Sequence, residues 1–270
     1  MRKIYTLLFL IFCLASCESQ SSKEPEIDAN IVPSPAVINY SIIKLYPHDT
    51  SSYTQGLIWH NNQLYESTGM EKESKLLEVA LNSGKALRKL AIPDNEFGEG
   101  ITILNNKIYQ LTLTNHLVHV YDLKTFKKLQ EFEWPYEGWG ITNNGSNLII
   151  STGGSNLYMV NPTTFKIEKT IGVSDNNGYI SSLNELEYIE GFIYSNQYMT
   201  DYILKIDPLS GSVVGKIDFK NLLKEAGSIY DPRSIDAGYV LNGIAYNPTT
   251  KHIYITGKRW PILFEIQLGQ

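Results

Sequence analysis

A glutamate between two glycines is the residue with the clearest capacity for acid–base chemistry. Glu99 stands in Phe97-Gly-Glu-Gly100, where the glycines leave the backbone free and the carboxyl accessible. Lys258 directly follows Thr256-Gly257 and supplies a matching cation. A carboxyl in a semi-enclosed cavity can have a raised pKa and can both take and give a proton, while an ammonium can stabilise an oxyanion. Brought together, these groups predict a proton-transfer site.

Further polar and aromatic residues stand at comparable points of the chain. Gln55, Trp139, Glu185 and Asn242 each open an apolar segment, Glu66 lies in Tyr65-Glu-Ser-Thr-Gly69, and Trp260 follows closely after Lys258. Glycines flank Trp139 on both sides, which favours an exposed ring over a core aromatic side chain. Each glutamate alone is also explained by a solvated or salt-bridged surface position. Their recurrence in register favours a shared site.

These positions recur because the chain repeats one phrase five times. The phrase begins at Gln55-Gly56, Glu99-Gly100, Trp139-Gly140, Glu185-Leu186 and Asn242-Gly243, with steps of 44, 40, 46 and 57 residues. A period in the forties with four short strands per unit is typical of propeller blades. The sequence therefore predicts an all-β, five-bladed β-propeller, with the first residues of the five phrases forming a ring around one mouth of the central channel.

The fifth predicted blade lacks one strand, because the chain stops after Pro261–Leu268. The segment Val37–Tyr46 has strand composition and no partner in blade one, so we expect it to complete blade five and close the ring. The long connection before the fifth phrase contains a predicted short helix over Asn221–Ala226 and a loop through Tyr239. A loop of this length is usually functional.

Composition and motifs exclude several classes of function. The 270-residue chain has a net charge of −5 and no basic cluster, which argues against a nucleic-acid partner. His116 and His119 lie three residues apart on a predicted strand, so they point to opposite faces and cannot chelate one ion. The sequence lacks a zinc-protease motif, a phosphate-binding loop and a nucleophile elbow. Asp175-Asn-Asn-Gly178 is better explained as a turn than as a calcium loop.

The N-terminus predicts export and lipidation. A basic start and the apolar run Ile4–Leu14 form a signal peptide too short to remain as a spanning helix, and Leu14-Ala-Ser-Cys17 resembles a bacterial lipobox. We expect a lipoprotein signal peptide over residues 1–16, lipid on Cys17, a flexible tether over residues 17–36 and a catalytic propeller over residues 37–270. No aspartate follows Cys17, which favours the periplasmic face of the outer membrane. The alternative is an ordinary signal peptide with a chance cysteine.

Several stretches of the domain together resemble one known family. They are Tyr53-Thr-Gln-Gly-Leu57, Leu64–Gly69, Phe97–Thr102, Glu137–Thr142, Leu183–Tyr188, Thr200-Asp201 with Ile206–Pro208, Leu241–Tyr246 and Thr256–Ile266. On these motifs the chain resembles the glutaminyl-peptide cyclotransferases of the plant and bacterial type, which are five-bladed propellers. The family's proposed functional residues match at Glu99, Asn184, Lys258 and Trp139. The chain departs from the family at Leu113 and Tyr198, where the family has tryptophan, so we expect a less enclosing aromatic pocket.

The resemblance implies closure of an N-terminal glutamine to pyroglutamate with release of ammonia. Glu99 would carry the proton, Lys258 and Asn184 would stabilise the oxyanion or fix the carboxamide, and Trp139 would hold the side chain in its ring-closing rotamer. Predicted substrate-binding residues also include Glu66 and Gln55, as candidates for the α-ammonium or the neighbouring peptide, and Glu185, Tyr198, Asn242 and Trp260. The expected partners are peptides or proteins with N-terminal glutamine, the protein is expected to be a monomer, and the only membrane contact is through the lipid.

Catalysis is expected to require no cofactor and no catalytic metal, while a structural ion in the channel stays an open alternative. Two other functions also stay open at this stage. One is a non-catalytic peptide-binding propeller lipoprotein. The other is a calcium-dependent, lactonase-like propeller hydrolase, which would need several Asp, Asn and Glu side chains converging on one channel ion.

Overall fold

The computed structural model describes residues 33–228 and 237–269. The predicted signal peptide, Cys17 and most of the predicted tether lie outside the described residues, as does part of the connection that leads to Tyr239. Among the residues that are described, no helix is long and apolar enough to cross a membrane.

Short strands make up almost all of the regular structure. In chain order they are β1 (Ala36–Val37), β2 (Tyr40–Pro47), β3 (Thr54–His60), β4 (Gln63–Thr68), β5 (Lys75–Ala80), β6 (Lys85–Ala91), β7 (Gly98–Leu104), β8 (Lys107–Thr112), β9 (Leu117–Asp122), β10 (Lys128–Glu133), β11 (Ile141–Asn143), β12 (Leu148–Ser151), β13 (Asn156–Val160), β14 (Ile167–Gly172), β15 (Ser174–Asp175), β16 (Gly178–Tyr179), β17 (Leu183–Ile189), β18 (Phe192–Gln197), β19 (Tyr202–Ile206), β20 (Val213–Asp218), β21 (Leu241–Asn247), β22 (His252–Gly257) and β23 (Ile262–Leu268). One helical turn, α1 (Leu222–Glu225), follows β20 within the segment predicted as a helix.

The strands form five blades of a propeller. Blade one is β3–β6, blade two β7–β10, blade three β11–β14, blade four β17–β20, and blade five β21–β23 completed by β2. The inner strands contact one another in the order β3, β7, β11, β17, β21 and back to β3, which closes the ring. These observations confirm the prediction of an all-β, five-bladed propeller whose last blade is completed by an N-terminal strand.

The closing segment differs from its prediction at one end. Residues 40–47 pair with β23 in blade five, as expected. Val37 instead belongs to β1, which pairs in parallel with β20 at the outer edge of blade four. Because β1 and β2 join different blades, the segment fastens two neighbouring blades and covers an edge that would otherwise expose unpaired backbone groups.

The apolar faces of the blades pack against each other. Leu111 and Val118 of blade two, for example, share one buried cluster with Ile150 and Val160 of blade three. One blade alone cannot bury its own strands, so the alternating apolar residues of each repeat are covered only when its neighbours are in place. The channel mouth is therefore held by contacts between blades.

Each inner strand carries a β-bulge at the same point. In blade two, Gly98 pairs with Thr112 and Ile101 with Gln110, so two residues, Glu99 and Gly100, face a single residue of β8. The pairing shifts in the same way between Thr54 and Gly56, between Leu183 and Leu186, and between Leu241 and Ile244. In blade three, Trp139 N–H and Gly140 C=O both bond Ser151. Such bulges re-aim side chains and are common beside active sites.

The bulges correct the predicted register of the fourth phrase by one residue. Leu183 and Leu186 flank its bulge just as Leu241 and Ile244 flank that of blade five. Asn184, not Glu185, is therefore the residue equivalent to Glu99. Glu185 takes the position that glycine occupies in the other four phrases.

That glycine position is crowded because neighbouring inner strands meet there. A Cβ atom on Gly140 would lie 2.0 Å from the carbonyl oxygen of Asn184, and one on Gly56 would lie 2.5 Å from the amide nitrogen of Ile101. No side chain fits at such distances, which explains why the phrase keeps glycine. At Gly56, Gly100 and Gly140 the neighbouring inner strands can approach this closely only because these positions lack a Cβ.

Two smaller elements agree with their predictions. Asp175 and Gly178 pair across a two-residue hairpin turn between β15 and β16, as expected for a turn rather than a calcium loop. The short helix α1 buries Leu222 and Leu223 against blades four and five.

Candidate active site

A cavity of about 240 Å³ opens at the mouth where the inner strands begin. Its lining residues are Tyr53, Gln55, Phe97, Glu99, Leu113, Trp139, Asn184, Tyr198 and Lys258. Four of them, Gln55, Glu99, Trp139 and Asn184, are the bulge residues of blades one to four. The cavity thus collects one side chain from each of four repeats, and the bulges explain why these side chains converge.

The Glu99 carboxyl is buried at the base of the cavity. Its Oε1 accepts a hydrogen bond of 3.1 Å from Gln55 Nε2. Asn242 Nδ2 in turn donates to Gln55 Oε1 over 3.3 Å and to the Thr54 carbonyl over 3.0 Å, so Gln55 is fixed from behind. Burial raises the pKa of Glu99 well above its usual value, Lys258 opposes the rise, and Glu137 adds to it. Burial therefore favours the protonated form of this carboxyl.

The Lys258 ammonium lies between two tyrosine rings. Its Nζ is 4.9 Å from the ring centre of Tyr53 and 4.8 Å from that of Tyr198, within the range of cation–π contacts. Burial lowers the pKa of Lys258 to about 8, against the opposing effect of Glu99. The two rings thus stabilise the ammonium, which burial has removed from water, and the lysine titrates close to neutral pH. Its backbone N–H donates to the Val240 carbonyl, which fixes the turn that carries it.

Aromatic rings form the cavity wall. Trp139 and Tyr198 meet edge to face with centroids 5.5 Å apart, and Trp139 Nε1 donates to Glu137 Oε2 over 3.1 Å. A Cβ on Gly153 would lie 2.7 Å from the Trp139 ring. The indole therefore packs directly on Gly153, where no side chain would fit. Leu113 completes the wall with a smaller, aliphatic side chain.

The structure brings six of the ten predicted residues together and leaves four elsewhere. Those in the cavity are Gln55, Glu99, Trp139, Asn184, Tyr198 and Lys258; those outside its lining are Glu66, Glu185, Asn242 and Trp260. Asn242 supports Gln55 from behind, as described above. The other three are buried in contacts of their own, so the structure places these four side chains outside the cavity lining, contrary to the expectation of one shared ring at the mouth.

Glu185 lies inside the channel, below the cavity. Its two carboxyl oxygens accept backbone N–H groups of Leu57 and Ile244 from two other inner strands. Burial raises its pKa well above the usual value, with a further contribution from nearby Glu187 and an opposing one from the two N–H donors. Glu185 therefore joins inner strands of three blades, which is a structural role. Trp260 is likewise buried, with its Nε1 donating to the Tyr239 carbonyl over 3.1 Å.

Glu66 forms a buried ion pair with His48. The His48 Nδ1 lies 2.6 Å from the Trp260 carbonyl oxygen and its Nε2 lies 3.1 Å from Glu66 Oε1. Both partners are acceptors, so both ring nitrogens donate and the imidazole carries a charge. Burial lowers the pKa of His48, but Glu66 and the Trp260 carbonyl outweigh it and the net pKa is raised. The pair lies behind the turn that holds Lys258.

Removing the Glu66 carboxyl is expected to cost about 3–5 kcal/mol of unfolding free energy, because Glu66→Ala leaves the buried His48 charge uncompensated. Urea denaturation at pH 6 measures it. A raised folded-state pKa means that the imidazolium contributes stability below its unfolded pKa and loses it as pH rises through the folded value. Glu78→Ala, which removes the partially exposed ion pair with Arg88 in the same blade, is the control and should cost at most about 1 kcal/mol. Equal losses in the two variants would contradict a charged pair.

Sequence reasoning did not assign Tyr53 and Phe97 to the cavity. Both are aromatic and stand two residues before the bulge residue of their blade, Gln55 and Glu99 respectively. Their rings meet edge to face with centroids 6.2 Å apart. An aromatic residue at this offset in two successive phrases was a usable signal, since alternation puts residues i and i+2 on one side of a strand.

The arrangement combines a carboxyl of raised pKa, a lysine of lowered pKa and a primary amide in one semi-enclosed space. Such a set can move a proton between two nitrogen atoms and stabilise a developing oxyanion. Within residues 33–228 and 237–269, no group of three or more His, Cys, Asp and Glu side chains is arranged to hold a metal ion.

Comparison with known proteins identifies one family. The family model described as glutamine cyclotransferase matches residues 8–268. A glutaminyl-peptide cyclotransferase of Arabidopsis thaliana is 35% identical over 234 residues, which cover 85% of this chain and 71% of the plant protein. The crystal structure of Myxococcus xanthus glutaminyl cyclase matches with a TM-score of 0.79 and 34% identity over 87% of this chain and 98% of the other.

These matches confirm the predicted resemblance and favour an enzyme over a binding propeller or a lactonase. They agree with the five-bladed architecture found here. The chain therefore belongs to the glutamine cyclotransferase family of acyltransferase enzymes.

Proposed function

We propose that this enzyme converts the N-terminal glutamine of peptides and proteins to pyroglutamate and releases ammonia, by acid–base catalysis without a catalytic metal. The observation that carries the proposal is the convergence of buried Glu99, Asn184 and Lys258 in one cavity. The named relatives are a glutaminyl-peptide cyclotransferase and a glutaminyl cyclase. Their activity on glutaminyl peptides supports the same substrate class for this chain.

The reaction needs one proton to change nitrogen atoms. The neutral α-amine attacks the carbon of the γ-carboxamide, a C–N bond forms, and the carbonyl oxygen becomes an oxyanion. Glu99 takes the proton from the attacking nitrogen and delivers it to the amide nitrogen, since ammonia leaves readily only when that nitrogen is protonated. The second C–N bond then breaks, the carbonyl re-forms, and pyroglutamyl peptide and ammonia are the products.

The remaining cavity residues stabilise and orient the reacting groups. The Lys258 ammonium and the Asn184 amide are donors for the oxyanion. The Trp139 ring packs on the folded glutamine side chain and holds the amine within reach of the carboxamide. Gln55 bonds one oxygen of Glu99, which leaves the other oxygen to act on the substrate.

The experiment is an ammonia-release assay with the purified enzyme and Gln-Ala. Expected results are stoichiometric ammonia, a product whose mass is lower by one ammonia, and equal rates with and without EDTA. A rate abolished by EDTA and restored by calcium would replace the metal-independent mechanism. The absence of ammonia from both Gln-Ala and Gln-Gln would contradict the function itself.

The two residues at which this chain departs from the family pattern should set substrate affinity. Leu113→Trp and Tyr198→Trp enlarge the aromatic wall, and one added aromatic contact contributes about 0.5–1.5 kcal/mol. We therefore expect KM for Gln-Ala to fall about two- to tenfold in each variant, with kcat nearly unchanged. Leu129→Trp, on the exposed outer strand β10, is the matched control and should leave KM as it is. A kcat loss without a KM change would show that the wall acts on the chemical step.

We further propose that the enzyme works as a monomer, lipid-anchored through Cys17 at the periplasmic face of the outer membrane. The lipobox-like segment and the polar stretch behind it support this proposal. Incorporation of labelled palmitate, lost in Cys17→Ser, tests the anchor, and membrane fractionation tests the location. Label retained in the variant, or a protein found only in the inner membrane, would contradict the respective part.

A further inference from the structure

A second cavity, larger than the first, lies on the same face of the propeller. It has a volume of about 580 Å³ and is lined by Asn115, His116, Leu117, Glu133, Trp134 and Pro135. These residues come from the β8–β9 and β10–β11 connections and from the adjoining ends of β9 and β10. In this topology both connections lie at the end where the inner strands begin, which is also where the active-site cavity opens.

Two chain segments run together from one cavity to the other. Leu113 lines the first cavity and Asn115 the second, while Trp139 lines the first and Pro135 the second. Adjacent residues are at most about 3.6 Å apart along an extended chain, so the two-residue step from Leu113 to Asn115 covers at most about 7 Å.

Hydrogen bonds fasten these segments to each other at both ends. At the first cavity, Gly138 N–H donates to the carbonyl oxygens of Thr112 and Leu113. At the second, Trp134 N–H donates to the His116 carbonyl, and His116 Nδ1 lies 2.9 Å from the Tyr136 carbonyl oxygen. Asn115 Nδ2 donates to the Asn95 carbonyl, in the segment that leads to Phe97. Residues 112–116 and 134–138 therefore form a ridge between the cavities that hydrogen bonds hold in place.

The first cavity is too small for more than the end of a peptide. Cavities that bury a drug-sized ligand measure about 300–1,000 Å³, and this one measures about 240 Å³. A glutaminyl peptide whose first residue reacts beside Glu99 must leave the cavity with its second residue. One extended residue spans about 3.3 Å, so the third and fourth residues reach about as far as the second cavity.

The second cavity offers negative charge. Glu133 at its edge and Glu137 on the adjoining segment are exposed carboxylates, and both belong to the path between the cavities. Trp134 lines the cavity as a buried aromatic wall. A cationic side chain would complement the carboxylates.

We propose, on the basis of the function above, that the second cavity is a subsite for the third and fourth residues of the peptide substrate and selects a basic side chain there. Glu133 contacts the lysine or arginine of the substrate, and the ridge at Leu113 guides the second residue. The enzyme thus distinguishes peptides beyond their N-terminal glutamine, by a contact that involves none of the reacting groups.

The test compares kcat/KM for three amidated tetrapeptides, Gln-Ala-Ala-Ala, Gln-Ala-Lys-Ala and Gln-Ala-Glu-Ala. We expect the lysine peptide to exceed the alanine peptide about two- to fivefold, the range of one exposed ion pair, and the glutamate peptide to fall below it. In Glu133→Gln the lysine-to-alanine ratio should approach one. Glu168→Gln is the matched control, because this exposed carboxylate bonds Asn147 and Asn161 at turns on the opposite face, and its ratio should equal that of the wild type.

The subsite is overturned if the three peptides react equally in the wild-type enzyme, or if the lysine preference survives in Glu133→Gln. These outcomes differ from a failure of the proposed function, which would appear as no turnover of any glutaminyl peptide. In that event calorimetric binding of the pyroglutamyl forms of the tetrapeptides still decides the matter. Tighter binding of the lysine form that is lost in Glu133→Gln supports the subsite, and equal binding overturns it.

Discussion

Glu99→Gln is expected to lower kcat for Gln-Ala about 10²–10⁴-fold, the range typical of a lost general acid–base group. The glutamine amide fits the same space and can still bond Gln55, but it cannot take a proton from the attacking amine. Because the reacting atoms still bind, KM should change much less than kcat. Steady-state ammonia release at pH 8, with single-turnover measurements for the chemical step, gives both values.

The same variant should fold at least as stably as the wild-type enzyme. A folded-state pKa raised by burial means that the native state holds a proton which the unfolded state loses, so the carboxyl reduces stability as pH rises above about 4.5. The neutral amide of Glu99→Gln removes this loss of stability. Glu137→Gln is the control, because it deletes a nearby exposed carboxylate that bonds Trp139 and acts on Glu99 only through its charge, and it should lower kcat less than tenfold. Near-normal turnover by a folded Glu99→Gln enzyme would refute the proton-transfer role.

Lys258→Met is expected to lower kcat about 10²–10³-fold, as for other losses of an oxyanion donor. Methionine keeps much of the packing between Tyr53 and Tyr198 but brings no charge.

The wild-type enzyme should lose activity as pH rises through about 8, where Lys258 gives up its proton. On the acid side, activity should fall as the substrate amine, with a pKa of about 8, becomes protonated. The two limbs of the pH–activity profile together predict a narrow pH optimum.

The pH profile separates a role in catalysis from a role in folding. The residual activity of Lys258→Met should keep the acid limb, which belongs to the substrate, and lose the alkaline limb near 8. Lys258→Arg, whose guanidinium stays charged, should move that limb to higher pH. Lys251→Met removes an exposed lysine that pairs with Glu190 and should leave the profile unchanged. An alkaline limb near 8 that persists in Lys258→Met would assign it to another group.

The blade count could be predicted because the phrase repeats in a form that alternation and glycine make visible. The same pattern places Glu99 and Trp139 at one mouth of the channel, where both line the cavity, since both are followed by the glycine at which inner strands meet. The fourth phrase lacks that glycine. Glu185 and Glu187 alternate there like residues of a regular strand, so the bulge at Asn184 left no trace in local periodicity.

Contacts between distant segments could not be predicted from the strand pattern. Glu66 has the local surroundings of the other site glutamates, yet its partner His48 precedes the first blade, and the second partner of His48, the Trp260 carbonyl, lies in the fifth. Likewise, Val37 differs little from its neighbours in composition, and only the approach of β20 decides that it joins blade four. The partner of Glu66 and the blade that Val37 joins are both decided by contacts that form only when the ring of blades closes.

The repeated bulge has a consequence for how such a site can change. Every blade presents the residue before the inner glycine position from a bulge at the same point of its inner strand, so glutamine, glutamate, tryptophan and asparagine occupy equivalent positions. The geometry of these positions is maintained by backbone pairing and not by the identity of the side chain. A substitution at one position can therefore alter the chemistry while the other positions keep their geometry. New specificities can thus arise at this mouth one residue at a time.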